Sequence, residues 1–280
     1  MNENELFVYV GTYTEKIRFG TGQIFEGKGE GIHIYKMDPA TGSWRPYRTA
    51  KGIMNPSYLA FHPNRRFLYA VNELKGYEGA ATGSLSSFAI DPHSGELYFI
   101  NKVQTHGTDP CHVTVDQTGR HALVANFASG SVSVLPIRED GSLTDASGVI
   151  QHDGSSADPV RQSGPHAHPW FETKPGAGPR HFMFHPNNNF AYLINELDST
   201  IVSLGYDRET GTVEEIQTVP ALPESFGGQS TCADIHVDPS GRFLFGSNRG
   251  HDSIDQQSGR LTPSGQITSA PTPVCLKILG

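Results

Sequence analysis

One sequence unit occurs four times along this chain, and a repeat constrains the fold more than any local propensity does. The unit is an apolar run, a turn opened by His or Asp, a second apolar run and an asparagine. Its clearest copy is Leu59-Ala60-Phe61-His62-Pro63-Asn64-Arg65-Arg66-Phe67-Leu68-Tyr69-Ala70-Val71-Asn72. It returns around Asp116, His185 and Asp238, and in all four copies the asparagine stands ten residues after the turn residue: Asn72, Asn126, Asn195 and Asn248. A second unit follows, alternating apolar and polar positions before another turn, as in Ile32-His33-Ile34-Tyr35-Lys36-Met37-Asp38-Pro39-Ala40-Thr41-Gly42, with relatives ending at Gly95, Gly141, Gly211 and Gly259. Short alternating runs broken by Asp-Pro and Ser/Thr-Gly turns are hairpin signals. Two hairpins make four strands in each repeat of about 50 residues, and one such sheet cannot bury its faces until neighbours stack on it. The expected fold is therefore all-β, a β-propeller of four-stranded antiparallel blades in a single domain over residues 1–280.

The ends of the chain fit this reading. Pro273 to Leu279 has the pattern of a first strand and Phe7 to Thr12 that of a second, so the termini are expected to lie side by side in one blade, which hides edges that an open ring would expose. The spacing is uneven. The turn residues 62, 116, 185 and 238 are 54, 69 and 53 residues apart. A repeat opens near Gly164-Pro165-His166-Ala167-His168-Pro169-Trp170 and stops, and Asp252-Ser253-Ile254 begins a third strand before Asp255 to Gly259 reads as a late turn. The chain thus holds about five blades' worth of sequence, by the repeat length of such blades.

Composition excludes several classes. The 31 glycines and 19 prolines follow no three-residue period, so the chain is not collagen-like. No apolar stretch approaches the roughly 18 residues of a membrane helix, and Met1 to Leu6 is polar, which leads to the expectation of a soluble, cytoplasmic protein without a membrane partner. The formal net charge of −8 and the lack of a basic stripe argue against nucleic acid as a partner. A small anionic ligand would be repelled by that net field, so locally placed arginines must capture it. Cys111, Cys232 and Cys275 are far apart and form no C-x-x-C pattern, which supports neither zinc nor a disulfide framework.

Repeat geometry then selects residues. Counting from the turn residue, positions −5 and +11 lie almost equally far along paired strands and emerge on one rim. At +11 stand Glu73, Phe127, Glu196 and Arg249; at −5 stand Ser57, Cys111, Arg180 and Ala233, with His168 aligned to the same place through its preceding segment. The segment Gly176-Ala177-Gly178-Pro179-Arg180-His181 can bring its backbone close to a ligand and aim one arginine. His166 lies two residues from His168, on the same strand face. With His181 and His185 these histidines suggest a metal, but His185 is a turn residue, and no metal is assigned. The long Tyr13 to Gly31 segment reads as a surface loop.

The motifs Val8-Tyr9-Val10-Gly11-Thr12-Tyr13, Gly164 to His168, Lys174 to His181, Asn195-Glu196-Leu197-Asp198-Ser199 and Ser247 to Ile254 resemble the seven-bladed propeller lactonase family, which includes propeller-type 6-phosphogluconolactonases and carboxymuconate-lactonizing enzymes. The resemblance spans nearly the whole chain. It implies a catalytic set of His168, Arg180 and Glu196 and a substrate arginine at Arg249; Glu73 and His166 complete the candidate substrate-binding residues. It implies no cofactor and a small anionic lactone as substrate. Three readings stand at this point: hydrolysis of a sugar lactone, foremost 6-phosphogluconolactone; cycloisomerisation of a carboxylated muconate; and a propeller that binds a small molecule or protein without turnover.

Overall fold

A computed structural model describes residues 5–18, 24–116, 118–151, 174, 177–187, 189–206, 213–258 and 261–279. All regular elements among them are strands: β1 (Leu6–Thr12), β2 (Ile17–Arg18), β3 (Ile24–Phe25), β4 (Gly31–Met37), β5 (Trp44–Lys51), β6 (Tyr58–Phe61), β7 (Phe67–Asn72), β8 (Ser84–Ile90), β9 (Leu97–Gln104), β10 (Pro110–Val115) and β11 (His121–Asn126). They continue with β12 (Ser131–Pro136), β13 (Gly148–Gln151), β14 (Pro179–Phe184), β15 (Phe190–Asn195), β16 (Thr200–Tyr206), β17 (Val213–Pro220), β18 (Thr231–Val237), β19 (Phe243–Arg249), β20 (Ser253–Ser258), β21 (Thr262–Ser269) and β22 (Pro273–Leu279). Among the described residues these form five four-stranded sheets, β22-β1-β4-β5, β6-β7-β8-β9, β10-β11-β12-β13, β14-β15-β16-β17 and β18-β19-β20-β21, and the small β2-β3 ribbon. The expected repeat of two hairpins per blade is therefore present, and the terminal strands β22 and β1 are hydrogen-bonded neighbours as expected.

One sequence expectation is overturned. β20 does not break off at Ile254 but runs to Ser258, pairing from Asn248↔Ser253 to Phe243↔Ser258, and β21 completes the sheet. Main-chain pairing needs only an extended segment of sufficient length, so residues that resemble a turn by repeat alignment serve as strand. Among the described residues of the Tyr13 to Gly31 segment, β2 pairs with β3, Gly27 donates its N–H to the Glu15 carbonyl and Gly29 to that of Tyr13. The interrupted repeat around Gly164 to Trp170 lies outside the described residues.

The chain divides into two compact units, one comprising Met1–Val10, Tyr35–Tyr47 and His166–Gly280, the other Gly11–Ile34 and Arg48–Pro165. In the first, Tyr192, Ile194 and Ile201 of one sheet pack with Ile235, Val237 and Leu244 of the next, and Phe245 then joins Val8, Val10, Met37, Leu276 and Ile278. In the second, Phe67, Tyr69, Val71 and Leu85 pack with Val113, Ala122, Val124 and Leu135. Each cluster takes residues from two sheets, so stacking is what removes these faces from water, at roughly 1.5–3 kcal/mol per fully buried large side chain.

The repeated polar positions are joints in this stack. His62 Nε2 donates to the Gly119 carbonyl at 2.9 Å and His185 Nε2 to that of Gly241 at 2.8 Å, while the Nδ1 atoms accept N–H groups from Asn64 and Asn187 inside their own turns. Where the turn residue is aspartate, its carboxylate caps the same turn, as Asp116 does for Arg120 N–H. The asparagines tie strands to the segment entering the sheet or leaving the preceding one. Asn72 donates to the Met54 carbonyl at 2.7 Å and accepts from Ser84 and Ser86 hydroxyls at 3.2 and 2.7 Å; Asn126 reaches the Thr105 carbonyl and Asn248 that of Ala221.

Replacing a buried amide that serves three partners strands all of them. Asn72→Ala is expected to lower unfolding free energy by about 2–4 kcal/mol, and Ser86→Ala by only about 1 kcal/mol, in urea titrations at neutral pH. Equal effects would show that Asn72 is not the joint.

Candidate active site

The first strands of three sheets carry an irregularity at the same place. In β14 the pairing steps from Pro179↔Asn195 to His181↔Ile194, leaving Arg180 as an extra residue; Cys111 is skipped in the same way in β10, and β18 shifts between Cys232 and Ile235. A β-bulge of this kind breaks strict alternation and re-aims a side chain. Position −5 is thus a bulge site, which explains how Arg180 leaves the sheet surface while His181 keeps its contact with the neighbouring sheet.

Three of the four +11 residues are fixed by one recurrent hydrogen bond to position −7: Glu73 N–H to the Asn55 carbonyl, Phe127 to Asp109, and Glu196 to Gly178 at 2.7 Å. Asn55, Asp109 and Gly178 all have left-handed backbone, with φ of 41°, 52° and 69°. At Gly178 the requirement is stricter, because a Cβ would lie 2.6 Å from the Leu197 side chain. This glycine holds the start of β14 against the residue that follows β15, and so fixes Arg180 relative to Glu196.

Arg180, Glu196 and Arg249 are brought together. Arg249 Nη2 bonds Glu196 Oε1 and also donates to the Cys232 carbonyl at 3.1 Å, while Arg180 Nε lies 3.8 Å from Glu196 Oε2 and its Nη1 donates to the Ala233 carbonyl. The three side chains differ in access. Arg249 is 1% exposed, whereas Arg180 and Glu196 retain 22% and 24%. The Arg249 guanidinium lies against the Glu196 carboxylate and holds it. A charge so deeply buried needs such a partner, since an uncompensated one costs several kcal/mol.

Beside this group lies a second set that sequence reasoning missed. His181 Nδ1 is 2.7 Å from Asp234 Oδ1, Asp234 is 2% exposed, and its carboxylate also accepts the N–H groups of Ile235 at 3.0 Å and Leu276 at 2.7 Å. Lys277 Nζ stands 3.0 Å from His236 Nε2. Burial raises the Asp234 carboxyl, but the Lys277 ammonium, the His181 hydrogen bond and nearby positive charge outweigh it and hold it well below the usual range. Burial, reinforced by Lys277, pushes the His236 imidazole well below its usual value. The overlooked signal was position −4, which reads Tyr58, His112, His181 and Asp234 in otherwise apolar strands. Tyr58 and His112 also touch, with ring centroids 4.5 Å apart.

Glu73 lies in the other compact unit, where the Tyr13 hydroxyl donates to its two oxygens at 3.2 and 3.1 Å. In the same unit, burial raises the Asp109 carboxyl, partly offset by Lys75 at 3.9 Å. His166 and His168 lie outside the described residues. Among the described residues no group of three His, Cys, Asp or Glu side chains could hold a metal ion, and Cys111, Cys232 and Cys275 are free thiols.

The family description "Lactonase, 7-bladed beta-propeller" matches residues 7–171 and 169–255. The chain belongs to this lactonase family. It is 34% identical over 292 aligned positions to a 6-phosphogluconolactonase of Bacillus subtilis, covering 90% of this chain and 79% of the relative, and 27% identical to one of Formosa agariphila, covering 91% and 80%. Its fold matches the periplasmic gluconolactonase PpgL of Pseudomonas aeruginosa with a TM-score of 0.65 and 27% identity, over 99% of both chains. For this lactonase-family chain, no helix among the described residues is long and apolar enough to cross a membrane.

The partly buried His236 makes stability depend on pH. Its folded pKa lies below its unfolded value near 6.5, so the unfolded chain binds the extra proton first, and the contribution present above that value is lost as pH falls. From pH 7 to pH 5 this single group should remove about 2 kcal/mol. Urea unfolding at both pH values is expected to show that drop in the parent protein and a smaller one in His236→Gln; identical acid losses would refute the assignment.

Proposed function

We propose that the chain hydrolyses 6-phosphogluconolactone to 6-phosphogluconate. The observation that carries this reading is the Glu196 carboxylate held from below by buried Arg249 and flanked by the partly exposed guanidinium of Arg180. The names of the Bacillus and Formosa relatives support the same substrate. Water adds to the ring carbonyl, the tetrahedral oxyanion forms, and the ring C–O bond breaks to give the hydroxy acid. Arg180 supplies fixed N–H donors to the developing oxyanion, an arrangement that acts in the transition state more than on the ground-state carbonyl. Glu196 takes the attacking water's proton and returns one to the leaving ring oxygen. His168 is the alternative proton acceptor in this proposal, and Glu73 and His166 are substrate contacts.

A phosphate ester carries the anionic charge for which local arginines are needed on a chain of net charge −8. Such an ester also stays on the side of a membrane where it is made, so this substrate goes with a cytoplasmic location. The unphosphorylated lactone is the natural control, since the Pseudomonas relative is described as a gluconolactonase.

The test follows acid release at constant pH after subtraction of spontaneous opening. Arg180→Ala and Glu196→Gln are each expected to lower kcat/KM for 6-phosphogluconolactone by about 100-fold or more while the protein stays folded. Glu196→Gln is preferred to alanine because the amide oxygen still accepts from Arg249. Unchanged hydrolysis by a folded Arg180→Ala protein would reject the assignment, and faster turnover of gluconolactone than of its 6-phosphate would move the substrate to the unphosphorylated sugar acid.

A further inference from the structure

The substrate proposed above has two charged or polar ends, and the hydrolytic scheme serves one. Arg180 and Glu196 act at the lactone carbonyl, while the phosphate on the sixth carbon carries a charge of roughly −2 at neutral pH and meets no cation in that scheme. On a chain of net charge −8 such a group needs a local positive partner. Most described cationic side chains of this compact unit are engaged elsewhere: Lys36 and Arg45 pair with Glu5, Arg242 donates to the Pro39 carbonyl, and Arg249 bonds Glu196 and the Cys232 carbonyl. Lys174 is exposed, where water and salt screen its charge, whereas Lys277 on β22 is partly buried.

Three neighbouring strands place Lys277. Arg180 of β14 donates to the Ala233 carbonyl of β18, Asp234 of β18 accepts the Leu276 N–H of β22 at 2.7 Å, and Lys277 Nζ stands 3.0 Å from His236 Nε2. Ala233 and His236 lie three residues apart on β18. At about 3.3 Å per residue, less the shortening of the bulge, the points that anchor Arg180 and Lys277 are roughly 8–10 Å apart along the strand. The substrate has a matching span. Its carbonyl carbon and its phosphorus are joined through the ring oxygen at a distance of about 6 Å. A hydrogen bond of about 3 Å at each end then asks for cations roughly 8–12 Å apart.

The surroundings keep this ammonium charged. Burial, and then Lys277 itself, hold the His236 imidazole well below its usual value, so the ring is neutral and its Nε2 accepts from Nζ. Asp234 takes its hydrogen bonds from Ile235 N–H, His181 and Leu276 N–H, and its charge supports the ammonium through space. A contact with a neutral ring does not neutralise the lysine, and lysine binds phosphate as a point charge. His236 is partly exposed as well, so a small anion can reach this place.

We propose that Lys277 is a specificity-determining residue whose ammonium binds the phosphate of the substrate while Arg180 meets its carbonyl. The role in turnover rests on the lactonase reading above; phosphate binding at Lys277 does not. The four-copy repeat could not point to this residue, because it stands on the terminal strand, outside the copies from which the offsets are counted.

The test compares Lys277→Met, which removes the charge and keeps the length, with Lys277→Arg, which keeps the charge. Lys277→Met is expected to raise KM for 6-phosphogluconolactone about 10- to 100-fold with kcat within about threefold, and to leave kcat/KM for gluconolactone within about threefold. Lys277→Arg should recover at least about a third of the lost logarithm of KM. A purely structural role would lower activity on both lactones alike. The second readout needs no turnover: calorimetry with 6-phosphogluconate and gluconate, which share a carboxylate and differ in the phosphate. The parent should bind the phosphorylated acid at least about 10-fold more tightly, and Lys277→Met should lose that preference. Equal losses on the two lactones, a folded Lys277→Met protein that keeps the parent's preference, or a parent without any preference overturns the proposal. If the parent opens neither lactone yet prefers 6-phosphogluconate through Lys277, the lactonase reading fails by itself and the phosphate site stands.

Discussion

A four-stranded sheet with two apolar faces has to be covered on both, and here neighbouring sheets of the same kind do the covering within each compact unit. Phe245 illustrates the constraint: it belongs to β19 yet packs with Val8, Val10 and Leu276 of the next sheet. Stacking of equivalent sheets places equivalent residues side by side. Position −4 of one sheet meets position −4 of the next, as Tyr58 meets His112 and His181 meets Asp234. Position −5 behaves likewise, with Arg180 reaching the Ala233 carbonyl. The charged group is therefore a consequence of apolar packing, since the hydrophobic faces set the register that the polar side chains then exploit.

The repeat made much of this legible beforehand. An asparagine ten residues after each turn residue implied a recurrent structural task, and the side-chain bonds of Asn72, Asn126 and Asn248 are that task. The offset rule selected Arg180, Glu196 and Arg249 without reference to structure, because equal distances along paired strands are a property of hairpins alone. What it lacked was depth. Nothing in an offset distinguishes a guanidinium facing solvent from one lying under a carboxylate, so the burial of Arg249 was hidden. The bulge at Arg180 was hidden for a related reason: strict alternation assigns neighbouring residues to opposite faces, and only an irregularity allows Arg180 and His181 to approach each other. The alignment at Ile254 failed differently. Similarity to a turn in another repeat does not fix conformation, since β20 is set by the partner strand that it finds.

The same rule of depth bears on how such a site keeps its charges. Arg249 at 1% exposure and Asp234 at 2% are both removed from water, and each would be prohibitive alone. They are stabilised by opposite means. Arg249 bonds the Glu196 carboxylate and the Cys232 carbonyl, so its position is tied to Glu196. Asp234 accepts from the backbone N–H groups of Ile235 and Leu276 and from His181, with the Lys277 ammonium nearby. Fixed dipoles cost no reorganisation when charge develops nearby, whereas a partner that takes up a proton changes the field at its neighbour. A change of protonation at Glu196 would therefore alter the field at Arg249, whereas the main-chain donors to Asp234 keep theirs. The Asp234 carboxylate is for that reason the steadier of the two buried charges, and it is built into strands whose ends are already tied by main-chain bonds.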